Sequence, residues 1–83
     1  MSERINQHNN PIIGKNIKRL RKKCGLKSLE VIAKLQLKQI NISSGTFSKI
    51  ENGRNNPTTE MLIALTEIFK CDFNAFFDTN EDT

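Results

Sequence analysis

Apolar residues recur at helical intervals along most of this chain. Ile13, Ile17, Leu20 and Cys24 follow one another at spacings of four, three and four residues, which places them in one stripe on a helix. Gly25 comes next and can end that helix in the left-handed conformation. Four more segments of this kind follow, separated by short polar breaks. The sequence therefore predicts an all-α fold, a compact bundle of five helices.

The other four helices are predicted from residues that can cap a helix and from the same apolar spacing. The predicted caps are Ser28, Ser43 or Ser44, Thr58 and Asp72, with ends near Leu37, at Asn52-Gly53 after Glu51, and near Lys70. The residues expected to face the core are Leu29, Ile32, Ala33 and Leu35 or Leu37; Phe47 and Ile50; Leu62, Leu65, Ile68 and Phe69; and Phe73, Phe76 and Phe77.

With 83 residues the chain forms one domain, and a domain of this size buries about 60 to 65% of the surface that its unfolded form exposes. We predict a flexible arm over 1–11, the folded domain over 12–78 and a frayed tail over 79–83. The sequence has neither an apolar run of about 18 residues nor the apolar stretch of a signal peptide. A cytoplasmic protein without membrane contact is therefore expected.

Residues suited to catalysis or metal binding are scarce. His8 is the only histidine, and Cys24 and Cys71 lack the spacing of metal ligands, so both are interpreted as reduced core thiols. No glycine-rich phosphate loop is present. We predict no enzyme activity, metal, cofactor or small-molecule ligand.

Charge is distributed unevenly along the chain. Residues 1–57 hold twelve Lys and Arg against three Glu, a net charge of +9, whereas residues 58–83 carry one Lys against six acids, a net charge of −5. A basic half is compatible with an ordinary solvated surface and also with a surface that faces an anion such as nucleic acid.

The segments IGKNIKRLRKKCGLKSLEVIAKL and GTFSKIENGRNNPT resemble the Cro/C1-type (XRE-like) helix-turn-helix family, and the resemblance covers roughly 12–77. The strongest segment is TFSKIENGR with a proline after two intervening residues, because it matches the end of a helix, its Asn-Gly exit and the turn after it together. The resemblance implies a lambda-repressor-like domain whose third helix enters the major groove of double-stranded DNA.

The resemblance also implies roles for particular residues. Those expected to read bases lie on the third helix: Ser44, Gly45, Thr46, Ser48 and Lys49. Asn52, Arg54 and the backbone N–H groups near Ser28 are expected to hold phosphates. Arg21 and Glu51 match a pair that the family holds together, so a partly buried ion pair is expected; the alternative is an exposed Glu51.

Two features depart from the family pattern. About four extra residues separate Ala33 from Glu51, so we expect a variant with a lengthened turn between the second and third helices. Lys38, Gln39 and Asn41 lie in that turn and either contact DNA or remain in the loop, while Ile40 and Ile42 alternate with them as anchors. The second departure is Leu29, which stands where the family often has a phosphate-binding Gln.

The leading hypothesis is a sequence-specific transcription regulator, a repressor, that binds two half-sites as a homodimer through its acidic C-terminal helices, with Phe77 or Ile63 in the interface. The alternative is a protein-interaction module on the same fold, such as an antitoxin or the partner of an anti-regulator. The two hypotheses predict different salt dependence of binding. Binding to DNA should weaken steeply as salt rises, because it depends on phosphate contacts, whereas a salt-insensitive contact would favour the module.

Overall fold

The computed structural model describes residues 11–79, and this part of the chain is all-helical. The helices are α1 (Ile12–Lys23), α2 (Ser28–Leu37), α3 (Ser44–Glu51) and α4 (Thr59–Phe69), followed by a 3₁₀ helix (Phe73–Phe77). The all-α prediction is confirmed, with four α-helices and one 3₁₀ helix in place of the five helices expected. The predicted arm, apart from Pro11, and most of the predicted tail lie outside the described residues. None of the described helices is long and apolar enough to cross a membrane.

One core holds the helices together. α1 packs on α3 and on the 3₁₀ helix, while α2 packs on α3 and α4. Phe47 and Phe76 are the largest fully buried side chains. Burying a side chain of this kind stabilises the fold by about 1.5 to 3 kcal/mol relative to leaving it exposed. The core consists of Ile13, Ile17, Leu20, Val31, Leu35, Phe47, Ile50, Met61, Leu62, Ala64, Leu65, Phe69 and Phe76.

The predicted inner face of α2 was correct for Leu35 and for Ile32, which packs partly against the core, and wrong for Leu29 and Ala33. Val31 and Leu35 are buried, whereas Leu29 and Leu37 are 69% and 85% exposed and Ala33 is also exposed. The buried residues repeat every four positions, and so do the exposed ones. The two sets are offset by two positions, so they lie on nearly opposite sides of the helix. Periodicity alone does not choose between two such stripes. The position of α3 and α4 decides which stripe is covered.

Local capping residues set most helix boundaries. The Ser43 hydroxyl accepts a hydrogen bond from the Thr46 N–H at 3.1 Å, and the Thr58 hydroxyl accepts one from Met61 at 3.1 Å. At α2 the cap is Lys27 and not Ser28, which is the first helical residue. The Glu30 carboxylate accepts a hydrogen bond from the Lys27 N–H at 2.7 Å, so a side chain one turn into the helix stabilises its start.

All four α-helices end in the same way, with one residue in the left-handed conformation. After α1 and α3 this residue is glycine, Gly25 and Gly53, which adopts a positive φ without steric strain because it has no Cβ atom. After α2 and α4 the position is held by Gln39 and Lys70, with φ of 66° and 55°. A side chain in this region is strained. The bends after α2 and α4 are therefore imposed by the packing of the helices on either side.

The C-terminal segment is a 3₁₀ helix and not an α-helix. Asp72 precedes it without forming the predicted side-chain cap. Phe76 is fully buried, whereas Phe73 and Phe77 are 37% and 41% exposed and contact each other in a tilted arrangement with ring centres 5.6 Å apart. The expectation that all three rings face the core was therefore correct only for Phe76.

A buried asparagine on α1 holds this C-terminal segment. Asn16 is 5% exposed, and its amide nitrogen donates to the carbonyl oxygens of Phe76 at 2.9 Å and Asp78 at 3.0 Å. Its side-chain oxygen accepts a hydrogen bond from Arg19 Nε at 3.2 Å. Asn16 therefore joins two segments that are sixty residues apart in the sequence, and the sequence analysis did not single it out.

The substitution Asn16→Asp is expected to lower the free energy of unfolding by about 2 kcal/mol, because a carboxylate cannot donate to the two carbonyl oxygens and its charge would be buried against them. Urea denaturation measures the change. Asn74→Asp is the matched control, since Asn74 is exposed on the 3₁₀ helix and its substitution should stay within about 0.5 kcal/mol. Equal effects of the two substitutions would show that the Asn16 hydrogen bonds contribute nothing to stability.

Candidate nucleic-acid interface

Helix α3 has two chemically different sides. Phe47, Ile50 and Glu51 are buried and fix the helix to the rest of the domain. The residues predicted to read bases form most of the other side. Four of them, Ser44, Gly45, Ser48 and Lys49, are exposed, and Thr46 is half-buried.

Not all polar groups of the exposed side of α3 are equally available. The Thr46 hydroxyl accepts a hydrogen bond from the Ser43 hydroxyl at 3.0 Å, so one of its two acceptor positions is occupied. No hydrogen bond or ion pair is assigned to the Lys49 ammonium among residues 11–79. A Cβ atom added at Gly45 would meet nothing within 4 Å. This side of the helix is therefore small, polar and open, with Lys49 as its cation.

Arg21 and Glu51 join α1 to the end of α3. Arg21 Nε lies 2.7 Å from Glu51 Oε2, and Arg21 Nη2 lies 3.2 Å from Glu51 Oε1, so the contact is bidentate. The two side chains are only 12% and 6% exposed. Arg21 also donates from Nη1 to the carbonyl oxygen of Leu26 at 3.1 Å, just beyond the end of α1. The carboxylate that ends α3 is thus paired and buried.

The backbones of α1 and α3 approach closely at Gly14. A Cβ atom at this position would lie 2.2 Å from the carbonyl oxygen of Ile50 and 2.9 Å from that of Glu51. Only glycine allows this approach. The close contact and the Arg21–Glu51 pair are about two helical turns apart on α1, and together they set the position of α3 along α1.

Two of the residues predicted to hold phosphates follow the end of α3, and the third lies at the start of α2. Asn52 and Arg54 are exposed at the exit from α3, and Asn52 Nδ2 lies 3.5 Å from Ser48 Oγ. Ser28 is half-buried in the first turn of α2. The Glu30 carboxylate already occupies the Lys27 N–H there, which places a negative charge at the helix start. Phosphate contacts by Asn52, Arg54 and Ser28 remain predictions.

Residues 38–43 connect α2 to α3. Ile40 and Ile42 pack partly against the core, and Lys38, Gln39 and Asn41 are exposed. Lys38 forms an ion pair with Glu67 of α4, which the sequence analysis did not predict. Since this pair neutralises the Lys38 charge, it makes Lys38 less available to DNA than Lys49.

A basic groove runs between α1 and the end of α3. Its volume is about 420 Å³. The sequence analysis assigned no binding role to the cations of α1, although Lys15, Lys18 and Lys22 follow one another at helical spacing, a signal that could have placed them on one side of the helix. The residues lining the groove are Pro11, Lys15, Lys18, Arg19, Lys22, Glu51 and Asn52.

The two cysteines are not the buried core thiols expected. Cys24 is exposed, and Cys71 is half-buried beside the core. Cys24 Sγ lies 3.7 Å from the carbonyl oxygen of Phe69. Burial raises the pKa of the Cys71 thiol, and nearby Asp72 and Cys24 raise it further. The Cys71 thiol is therefore protonated at neutral pH and is a weak nucleophile.

An all-helical domain whose third helix is fixed on one side and open on the other has the architecture of a helix-turn-helix protein, a class that implies DNA binding. The model of the helix-turn-helix domain family matches residues 14–81, and the chain belongs to this family. Domains of this family are typically DNA-binding and non-enzymatic. Neither a curated protein nor a solved structure matches the chain.

Proposed function

We propose that this chain is a sequence-specific transcription regulator of the Cro/C1 type, a repressor, that reads double-stranded DNA by laying α3 in the major groove. The supporting observation is the contrast between the two sides of α3. Phe47, Ile50 and Glu51 hold the helix from within. The outer side carries small polar residues and Lys49, which has no assigned ion pair among residues 11–79. The major groove of B-DNA admits one helix, and small side chains permit close approach to the base edges.

Each exposed residue of α3 has chemistry that suits this role. Lys49 donates to guanine O6 and N7, and Ser44 and Ser48 donate to or accept from several bases. Gly45 allows the start of the helix to approach the groove closely, because no side chain stands there. The Thr46 methyl group packs on a thymine methyl.

Groups around α3 set the register on the duplex. Asn52 and Arg54 contact phosphates at the exit of the helix, and the N–H groups at the start of α2 near Ser28 contact phosphates at the other side. In the turn, Lys38 is paired with Glu67 whereas the Gln39 and Asn41 amides are exposed, so these two residues are better placed than Lys38 to contact DNA.

The regulator binds as a homodimer to two half-sites about one helical turn apart, because one small reading surface gives limited affinity. Ile63 and Phe77 support this arrangement, since they are large apolar residues that are 52% and 41% exposed on the acidic C-terminal elements. Sedimentation with and without the selected DNA tests the dimer. A monomer at high concentration in both runs would contradict it.

Selection of bound sequences from a random DNA pool tests the reading role, carried out with wild type and with Lys49→Ala. The substitution is expected to weaken binding to the selected sequence by about 5-fold to about 150-fold and to relax the preference at one base position. The reason is the loss of the donors that reach a guanine edge, whereas the fold is unaffected because Lys49 is exposed.

Lys34→Ala is the matched control, because Lys34 is exposed on α2 and its loss changes the net charge by the same amount. The base preference of this variant should equal that of wild type. An unchanged preference in Lys49→Ala would contradict the placement of α3 in the groove. No enrichment of any duplex, or binding that does not respond to salt between 50 and 200 mM, would instead favour a protein-interaction module on the same fold.

A further inference from the structure

We infer that the basic groove between α1 and α3 is a second DNA contact, which holds the sugar-phosphate backbone beside the site read by α3. This inference rests on the proposed function and extends it to three lysines of α1, Lys15, Lys18 and Lys22. All three line the groove and are exposed.

The arrangement of the three lysines fits a line of phosphates. They lie on one side of α1 because they are three and four residues apart, and at 1.5 Å per residue they span about 10.5 Å along the helix axis. A DNA strand carries one phosphate per 3.4 Å of duplex axis, so with α1 parallel to that axis the three lysines extend over about three phosphate spacings.

The charge of the groove is not compensated within the described part of the chain. Glu51 is the one acidic residue lining it, and the bidentate contact with Arg21 already neutralises that carboxylate. None of Lys15, Lys18 and Lys22 has an assigned ion pair among residues 11–79. The groove is therefore an open, cationic channel that favours a polyanion.

The position of the groove connects it to the reading helix. Asn52 lines its wall and is also the residue at which α3 ends. A DNA strand that contacts Asn52 on leaving the major groove thus meets the α1 lysines next. Phosphate contacts carry no sequence information, so the lysines increase affinity and fix the orientation of the domain without changing which bases are read.

The test is the salt dependence of binding to a duplex selected by the wild-type protein. A triple variant, Lys15→Gln, Lys18→Gln and Lys22→Gln, is compared with wild type by fluorescence anisotropy between 50 and 200 mM salt. The slope of log K against log salt is negative, and each lost phosphate contact reduces its magnitude by about 0.9. The slope of the triple variant is therefore expected to be smaller in magnitude by about 2 to 3. The base preference should remain unchanged.

The control is a triple variant with the same change of charge outside the groove, Lys23→Gln, Lys34→Gln and Lys70→Gln, at three exposed positions. Its slope should stay near that of wild type. Equal reductions of the slope in both triple variants would overturn the inference and indicate a general effect of net charge. A slope unchanged in the groove variant would also overturn the inference. Failure of wild type to bind any duplex would overturn the proposed function itself. If wild type binds and the groove variant keeps the wild-type slope, only the inference about the groove fails.

Discussion

Replacing Gly14 with alanine is expected to lower the free energy of unfolding by about 3 kcal/mol, the upper part of the range for overpacked sites. The added methyl group would lie 2.2 Å from the Ile50 carbonyl oxygen, and that atom is backbone, which cannot rotate away as a side chain would. α1 and α3 must therefore separate, which also opens the core around Ile17 and Phe47. Urea denaturation followed by circular dichroism measures the loss.

Gly45→Ala is the matched control, because it makes the same substitution in α3 where no atom lies within 4 Å. Alanine has a higher helix propensity than glycine, so this variant should gain about 0.5 kcal/mol. Its methyl group points outward and should weaken DNA binding if α3 approaches the bases closely at this position. Similar stabilities for Gly14→Ala and Gly45→Ala would contradict the close contact between α1 and α3.

Replacing Glu51 with glutamine is expected to lower the free energy of unfolding by about 3 kcal/mol, since it leaves the guanidinium of Arg21 largely buried without its counter-charge. The Glu51 side chain is 6% exposed and accepts two hydrogen bonds from Arg21, so solvent offers little compensation. Chemical denaturation measures the change.

The exposed pair between Lys38 and Glu67 provides the control for this prediction. Its two side chains are 37% and 62% exposed, and surface pairs of this kind contribute at most about 1 kcal/mol, so Glu67→Gln should change stability little. A double variant with methionine at Arg21 and Glu51 should be more stable than Glu51→Gln, because it removes both charges together. Equal losses in Glu51→Gln and Glu67→Gln would show that burial of the Arg21–Glu51 pair has no energetic consequence.

The ends of the helices were the part of the fold most accessible from the sequence. Thr58 caps α4 as predicted, Ser43 is one of the two caps expected for α3, and Gly25 and Gly53 end their helices in the left-handed conformation. These features depend on hydrogen bonds and backbone angles within four or five residues, so the local sequence contains the information that determines them. The left-handed conformation of Gln39 was harder to foresee, because glutamine does not favour it.

Part of the candidate interface could also be predicted from the sequence. The family resemblance paired Arg21 with Glu51 and placed small polar residues on the exposed side of α3, and the geometry agrees with both expectations. It gave no indication that Lys38 pairs with Glu67, because that contact joins the turn after α2 to a helix nearly thirty residues later.

By itself the sequence determined most of the helix ends of this protein and that each helix buries one apolar side, because those properties follow from neighbouring residues. Only the tertiary structure decided which side of α2 is covered, why Gly14 is required, what Asn16 holds and that three lysines of α1 line one groove with Asn52. Each of these depends on the distance between residues far apart in the chain, and that distance is fixed by how the helices pack together.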